Sequence, residues 1–81
     1  ANYKLRFTQV GNFKVEVEMI AEEVCLYVYL ESMKQDLWRG RWSSNGFTLF
    51  PGQCEMAVYT SLTPILAKDL ESSLQIQVAN P

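Results

Sequence analysis

The 81 residues are 48% hydrophobic and 20% charged with a formal net charge of −2, which fits one small folded domain and leaves no material for a second core. Four Tyr, four Phe and two Trp with that apolar fraction exclude disorder, and seven basic against nine acidic residues speak against a nucleic-acid partner held by phosphate neutralisation. The chain has no histidine, which excludes Ser-His-Asp and Cys-His nucleophiles, His-ligated zinc and imidazole acid–base chemistry within it.

Period-2 alternation dominates from the start. In Phe13-Lys14-Val15-Glu16-Val17-Glu18-Met19 the apolar residues take the odd positions and the charges the even ones, the pattern of a strand with one face on a core and one in water. Leu5-Arg6-Phe7-Thr8 alternates in the same way ahead of the turn dipeptide Gly11-Asn12, so residues 3–20 read as a hairpin. Leu26 to Leu30 is a third strand, with Leu26, Val28 and Leu30 inward and Tyr27 and Tyr29 on a second face that their rings suggest is partly covered. Glu31 to Gly40 is a polar connection carrying Trp38. Asn45-Gly46 then suits a tight turn with positive φ and Pro51-Gly52 a type II turn. Phe47-Thr48-Leu49 alternates between those turns, and Cys54, Met56 and Val58 share a face after them. Thr63 as N-cap and Pro64 at the first helical position predict a helix start, with Leu66 and Leu70 four apart over the next two turns. Leu74 to Val78 alternates again. The sum is an all-β, immunoglobulin-like antiparallel sandwich of six or seven strands, with one short helical turn near the C-terminus.

No apolar run approaches the roughly 18 residues of a membrane-spanning helix, and nothing early in the chain looks like a signal peptide. The chain begins at Ala1 rather than Met and is read as a piece of a larger polypeptide, occupying residues 1–81 as a single domain.

The stretch Trp42-Ser43-Ser44-Asn45-Gly46-Phe47-Thr48-Leu49-Phe50-Pro51-Gly52 resembles the "RFSDNGFFLLPG" segment of the C-terminal immunoglobulin-like domain of β-mannosidases in glycoside hydrolase family 2. Val28-Tyr29-Leu30-Glu31 is similar to the strand preceding that segment. Thr63-Pro64 with Asp69-Leu70-Glu71-Ser72-Ser73-Leu74 is similar to the family's "EPT…ELEQSF" ending. Ser44 stands where Asp is usual and Trp42 where Phe is common. The resemblance implies a non-catalytic accessory domain packed against other domains of its parent. It also implies that the parent removes terminal β-linked mannose from oligosaccharides with retention, using two glutamates in a separate (β/α)8 barrel. No catalytic residue carries over to this chain, and no cofactor is expected.

The residues agree with that reading. Glycoside hydrolysis needs two carboxyl groups about 5–5.5 Å apart for retention or roughly 6.5–9.5 Å for inversion. Glu16 and Glu18 lie on the wet face of a strand and Glu22-Glu23 in the following turn, with nothing to separate their pKa values. Glu31 and Asp36 fall short of the about six to eight oxygens that calcium takes, and no metal site is expected. Cys25 and Cys54 are too close in sequence for the inter-sheet bridge of immunoglobulin domains, and Gly52 occupies the expected Tyr position, so both read as free thiols, buried or half-buried. Trp38, Arg39, Arg41 and Trp42 form the one cluster suited to recognition. Trp42 reads as core. Trp38 reads first as a domain–domain contact, with local packing and sugar stacking as alternatives, and Arg39 and Arg41 as solvated or paired with Asp36 or Glu31. Leu66 and Leu70 read as a lid over one end of the sandwich. Two rival functions are an autonomous carbohydrate-binding module, stacking sugar on Trp38 with Tyr27 or Tyr29, and a fibronectin- or immunoglobulin-type adhesion module. The partners expected are neighbouring domains and an oligosaccharide, with no nucleic acid and no membrane.

Overall fold

The computed structural model describes residues 2–79. The first alternating segments form an antiparallel hairpin of β1 (Tyr3–Gly11) and β2 (Lys14–Ala21). Val15, Val17, Met19 and Ala21 are buried, as the period of two requires. The connecting residues are Asn12 and Phe13, one position later than the Gly11-Asn12 dipeptide suggests, and Phe13 is exposed in the turn instead of opening the inward series.

The chain then crosses to a second layer. β3 (Cys25–Ser32), β5 (Phe47–Leu49) and β7 (Leu74–Gln77) form one sheet in the order β5-β3-β7. β4 (Arg41–Trp42) and β6 (Cys54–Thr60) join the hairpin in the other, ordered β1-β2-β6-β4. All pairings are antiparallel. The architecture is the expected seven-stranded sandwich, elongated to 36 × 21 × 19 Å. It carries two short helices rather than one: α1 (Gln35–Trp38) within the polar connection, and α2 (Ala67–Ser73), which leads from β6 to β7.

Two buried groups fill the space between the layers. Met19, Ala21, Cys25, Val28, Leu30, Leu49 and Ala57 form one, and Val15, Val17, Trp38, Tyr59, Ile65 and Leu70 the other. Leu5, Trp42 and Leu74 pack against both and make the core continuous. Cys54, Met56 and Val58 do share a face of β6, but it is the outer one, and Ala57 and Tyr59 point inward. Pairing of Val15 with Tyr59 and Val17 with Ala57 sets that parity.

Helix α2 starts later than Thr63-Pro64 predicts. Its N-cap is Leu66, which makes no side-chain capping bond, so Leu66 is exposed and Ile65 and Leu70 form the packed lid. The cap comes from β1: Gln9 Oε1 accepts from the Ala67 amide at 2.7 Å, and Gln9 Nε2 donates to the Ile65 carbonyl at 2.8 Å. A polar side chain remote in sequence thereby meets one of the orphan donors of the first turn.

Both turn dipeptides adopt the expected backbone. Gly46 has φ +68° and Gly52 φ +87°, and the Gln53 amide donates to the Phe50 carbonyl at 2.9 Å, closing the Pro51-Gly52 turn. Asn45 does more than turn. Its Oδ1 accepts from the Leu30 amide at 2.7 Å and its Nδ2 donates to the Leu30 carbonyl at 2.9 Å, so a side-chain amide completes the edge of β3 as a strand would. At Gly46 a Cβ would also stand 3.3 Å from the Tyr29 hydroxyl oxygen. Gly46→Val therefore places a β-branched residue in the left-handed region against a ring. A loss of about 1–3 kcal/mol in urea unfolding is expected, and an unchanged midpoint would show that the turn tolerates it.

Candidate functional site

The segment that the sequence singles out, Trp38 to Trp42, wraps around one side chain. Tyr59 projects inward from β6 with no solvent exposure. Trp38 meets it edge-on with centroids 6.1 Å apart, and Trp42 tilts against it at 4.8 Å. The Tyr59 hydroxyl donates to Gln35 Oε1 at 2.6 Å and accepts from the Gly40 amide at 3.1 Å. A Cβ at residue 40 would fall on the Tyr59 ring atoms Cζ and Cε2 and on its oxygen, so glycine is required there.

Trp38 is consequently 4% exposed. The ring expected at a domain boundary packs locally, and its face is not available to a sugar. Arg39 and Arg41 remain exposed, and neither forms an ion pair with Asp36 or Glu31 among the described residues. Arg39 ends α1 in the left-handed region at φ 49°, where its amide donates to the Gln35 carbonyl at 2.7 Å. Arg41 sits opposite Thr60 at the outer edge of the four-stranded sheet. The three candidates are neighbours in sequence and do not converge on a common ligand position.

The carboxylates are similarly dispersed. Glu18 pairs with Arg6 at 3.7 Å and Glu22 with Lys4 at 3.8 Å, exposed contacts of about 0–1 kcal/mol each. Glu55 accepts from Ser44 Oγ at 2.9 Å. A hollow of about 390 Å³ lined by Gln9, Asn12, Pro64, Ile65, Leu66 and Asp69 contains one carboxyl group, short of the pair that glycoside hydrolysis requires. No group of three or more Cys, Asp or Glu side chains among the described residues is arranged to hold a metal ion.

Two other surfaces carry unusual features that the sequence did not rank. At the hairpin end, Ser61 donates to the Phe13 carbonyl at 2.8 Å, Ile65 to Asn12 at 2.8 Å and Leu62 to Trp38 at 3.0 Å. These backbone bonds gather the exposed side chains Val10, Phe13, Leu37, Leu62 and Leu66 at one end of the sandwich. On β3, a bulge between Cys25 and Val28 sets two residues against Thr48. It keeps Cys25 and Val28 both inward and leaves Tyr27 63% and Tyr29 54% exposed. Tyr27 takes φ 50°, a left-handed conformation that costs a residue other than glycine about 1–3 kcal/mol.

The family model Ig_mannosidase, described as an Ig-fold domain, matches residues 3–80. The chain belongs to this family. No curated protein matches the chain. An Ig-fold domain of this kind is by itself non-catalytic. At Ser44, whose hydroxyl donates to Glu55, a carboxylate would face a like charge.

Burial raises the Tyr59 hydroxyl pKa above its ordinary value near 10, and the Gly40 amide, which favours the phenolate, offsets part of that rise. A raised acid pKa means the stabilising contribution is complete below pH ~10 and disappears as pH climbs through the folded-state value. Tyr59→Phe should lose about 1–2 kcal/mol at neutral pH and show a flatter decline of stability above pH ~10 than the native chain. Parallel alkaline melts that decline identically would show that Tyr59 does not titrate with unfolding. The two thiols differ as well: both are free, Cys25 buried and Cys54, against the sequence expectation, exposed. Aromatic-disulfide titration should label Cys54 rapidly in the native chain and Cys25 only on unfolding; simultaneous labelling would contradict the burial of Cys25.

Proposed function

We propose that this domain is the C-terminal accessory module of a β-mannosidase-like glycoside hydrolase and that it seats against neighbouring domains through its hairpin end. The observation that carries the proposal is the gathering of Val10, Phe13, Leu37, Leu62 and Leu66 at one end, with Leu62 72% exposed. Scattered single apolar residues are ordinary on a small protein, but several collected by defined backbone bonds mark a contact surface. The end is also well supported from within. Gln9, Trp38 and Ile65 hold the hairpin loop, the 61–66 segment and α1 in fixed relation, so contact with a neighbour orders little further.

The parent reaction under this reading is hydrolysis of terminal β-mannosyl residues with retention, performed by two glutamates of a barrel on another part of the polypeptide. The domain contributes no group to bond cleavage. Its role is architectural: it braces the parent and shapes the approach to the barrel. Support comes from the family match and from the resemblance of the Trp42–Gly52 segment to the tail domain of those enzymes.

The gene upstream of the Ala1 codon should encode a (β/α)8 barrel with a glutamate pair. In that parent, Phe13→Asp with Leu62→Asp should lower the melting temperature by several degrees, because charges would be forced into a dry contact. The same pair of changes in the 81-residue chain should shift stability by no more than about 0.5 kcal/mol per site. Equal melting of the native and doubly substituted parent would remove the hairpin end as the seat, and tandem sandwich domains upstream would replace the enzyme reading with the adhesion one.

A further inference from the structure

Among the sheet faces, the outer face of β5-β3-β7 stands apart. Its strands contain no Lys or Arg, and none of their aliphatic side chains is exposed. What points outward is Tyr27, Tyr29 and Glu31 from β3, Thr48 from β5, and Gln75 and Gln77 from β7. The side chains of Glu31, Gln75 and Gln77 have no hydrogen-bond partner among the described residues. By contrast, the outer face of the four-stranded sheet mixes Lys4, Arg6, Lys14, Glu16 and Glu18 with Cys54, Met56 and Val58, and Val10, Phe13, Leu37, Leu62 and Leu66 lie at the hairpin end.

The two rings are held outward at the expense of the domain's own stability. A left-handed tyrosine inside a strand and two exposed phenol rings are each unfavourable for the isolated fold, and both fall on this one patch. Tyr27 is fixed by a bond from its amide to Thr48 Oγ1 at 3.1 Å, and the Tyr29 ring rests against the Gly46 turn. Exposed rings, one on a fixed backbone and one packed on a turn, therefore stand beside free amide and carboxylate groups. A flat aromatic face accepts the C–H side of a pyranose, while a glutamine side chain both donates to and accepts from hydroxyl groups. The lack of any cation, with Glu31 at the margin, disfavours phosphate, sulfate or uronic acid.

We propose that this face binds a neutral oligosaccharide, with Tyr27 and Tyr29 stacking on sugar rings and Gln75, Gln77 and Glu31 engaging their hydroxyl groups. The site keeps Tyr27 and Tyr29 of the stacking platform the sequence offers, but Trp38 has no part in it and the Gln75, Gln77 and Glu31 side chains join it; it lies apart from the hairpin end, so it stands or falls independently of how the domain is seated in a parent.

The test is a titration of the isotope-labelled 81-residue chain with mannopentaose, cellopentaose and, as an anionic control, pentagalacturonate, followed by amide and side-chain resonances. Saturable shifts confined to β3, β5 and β7 are expected with one or both neutral pentaoses, with the Trp38 and Trp42 indoles and the anionic sugar silent. Tyr27→Asn is the decisive variant, because asparagine tolerates the left-handed conformation. It should melt at or above the native temperature yet bind about tenfold or more weakly, and Tyr29→Ala should weaken binding to a similar degree. Absence of shifts at about 10 mM of both neutral sugars, shifts located elsewhere, or native-like affinity of Tyr27→Asn would each overturn the proposal.

Discussion

The Tyr59 ring lies wholly inside the sandwich, so its hydroxyl must find polar partners there or leave an unmet donor and acceptor in an apolar medium. The partners come from the segment joining the two sheets. Gln35 accepts the hydroxyl proton, the Gly40 amide supplies the other bond, and Trp38 and Trp42 close over the ring between them. Much of the segment's form follows from this. α1 is only four residues long and gains little from its own hydrogen bonds, so its stability derives from burying Trp38. Arg39 must reverse the chain in a left-handed conformation for residue 40 to reach the hydroxyl, and residue 40 must lack a Cβ. Two basic residues and two indoles that look from the sequence like a binding cluster are thereby divided, with the rings serving the core and the guanidinium groups left in water.

That division separates stability from recognition across the whole domain. The sheet with β1 and β2 presents alternating charge on its outer face, which keeps the long β1 edge soluble and discourages pairing with other chains. The other sheet has no such protection by cations. Its outer face carries the Glu31 carboxylate and no cation, and is otherwise uncharged, aromatic and strained at Tyr27. The hairpin end is aliphatic and held by main-chain bonds to fixed elements. The small body thus carries three surfaces of three different chemistries.

How much of this was legible beforehand follows from which interactions are local. Strands β2, β3 and β7 and both glycine turns are written in short-range patterns: alternation along Lys14 to Ala21, and Gly46 and Gly52 at positions that need positive φ. The Trp42 to Gly52 segment is local too, which is why it identified the family. The features that escaped are settled by distant partners. Along β6 the local pattern points the wrong way, since Cys54, Met56 and Val58 share one face and Glu55 shares the other with Ala57 and Tyr59; its parity is set by the register with β2 across the ladder. The burial of Trp38 depends on the same ring, 21 positions on in the chain by subtraction of 38 from 59, and no periodicity around Trp38 announces it. Alternation places Tyr27 and Tyr29 outward correctly, but the face they share is open instead of partly covered, and the bulge that buries Cys25 and leaves Leu26 half-buried is an insertion that a single strand's sequence does not display.

The start of α2 carries the same lesson into the cooperativity of the fold. Thr63 and Pro64 form a plausible local cap, yet the first turn is capped by Gln9, 58 residues away from Ala67 in sequence. Seven helical residues are too few to persist in water without such support. Gln9 itself sits at the irregular end of β1, where the register shifts before Gly11, and its amide also donates to the Gly11 carbonyl. One side chain thus ties the hairpin loop, the 61–66 segment and the helix that feeds β7. β7 pairs with β3 directly after α2 turns the chain, so the Gln9 contact links the first element of the domain to its last. The exposed apolar residues at the hairpin end rest on the same set of contacts.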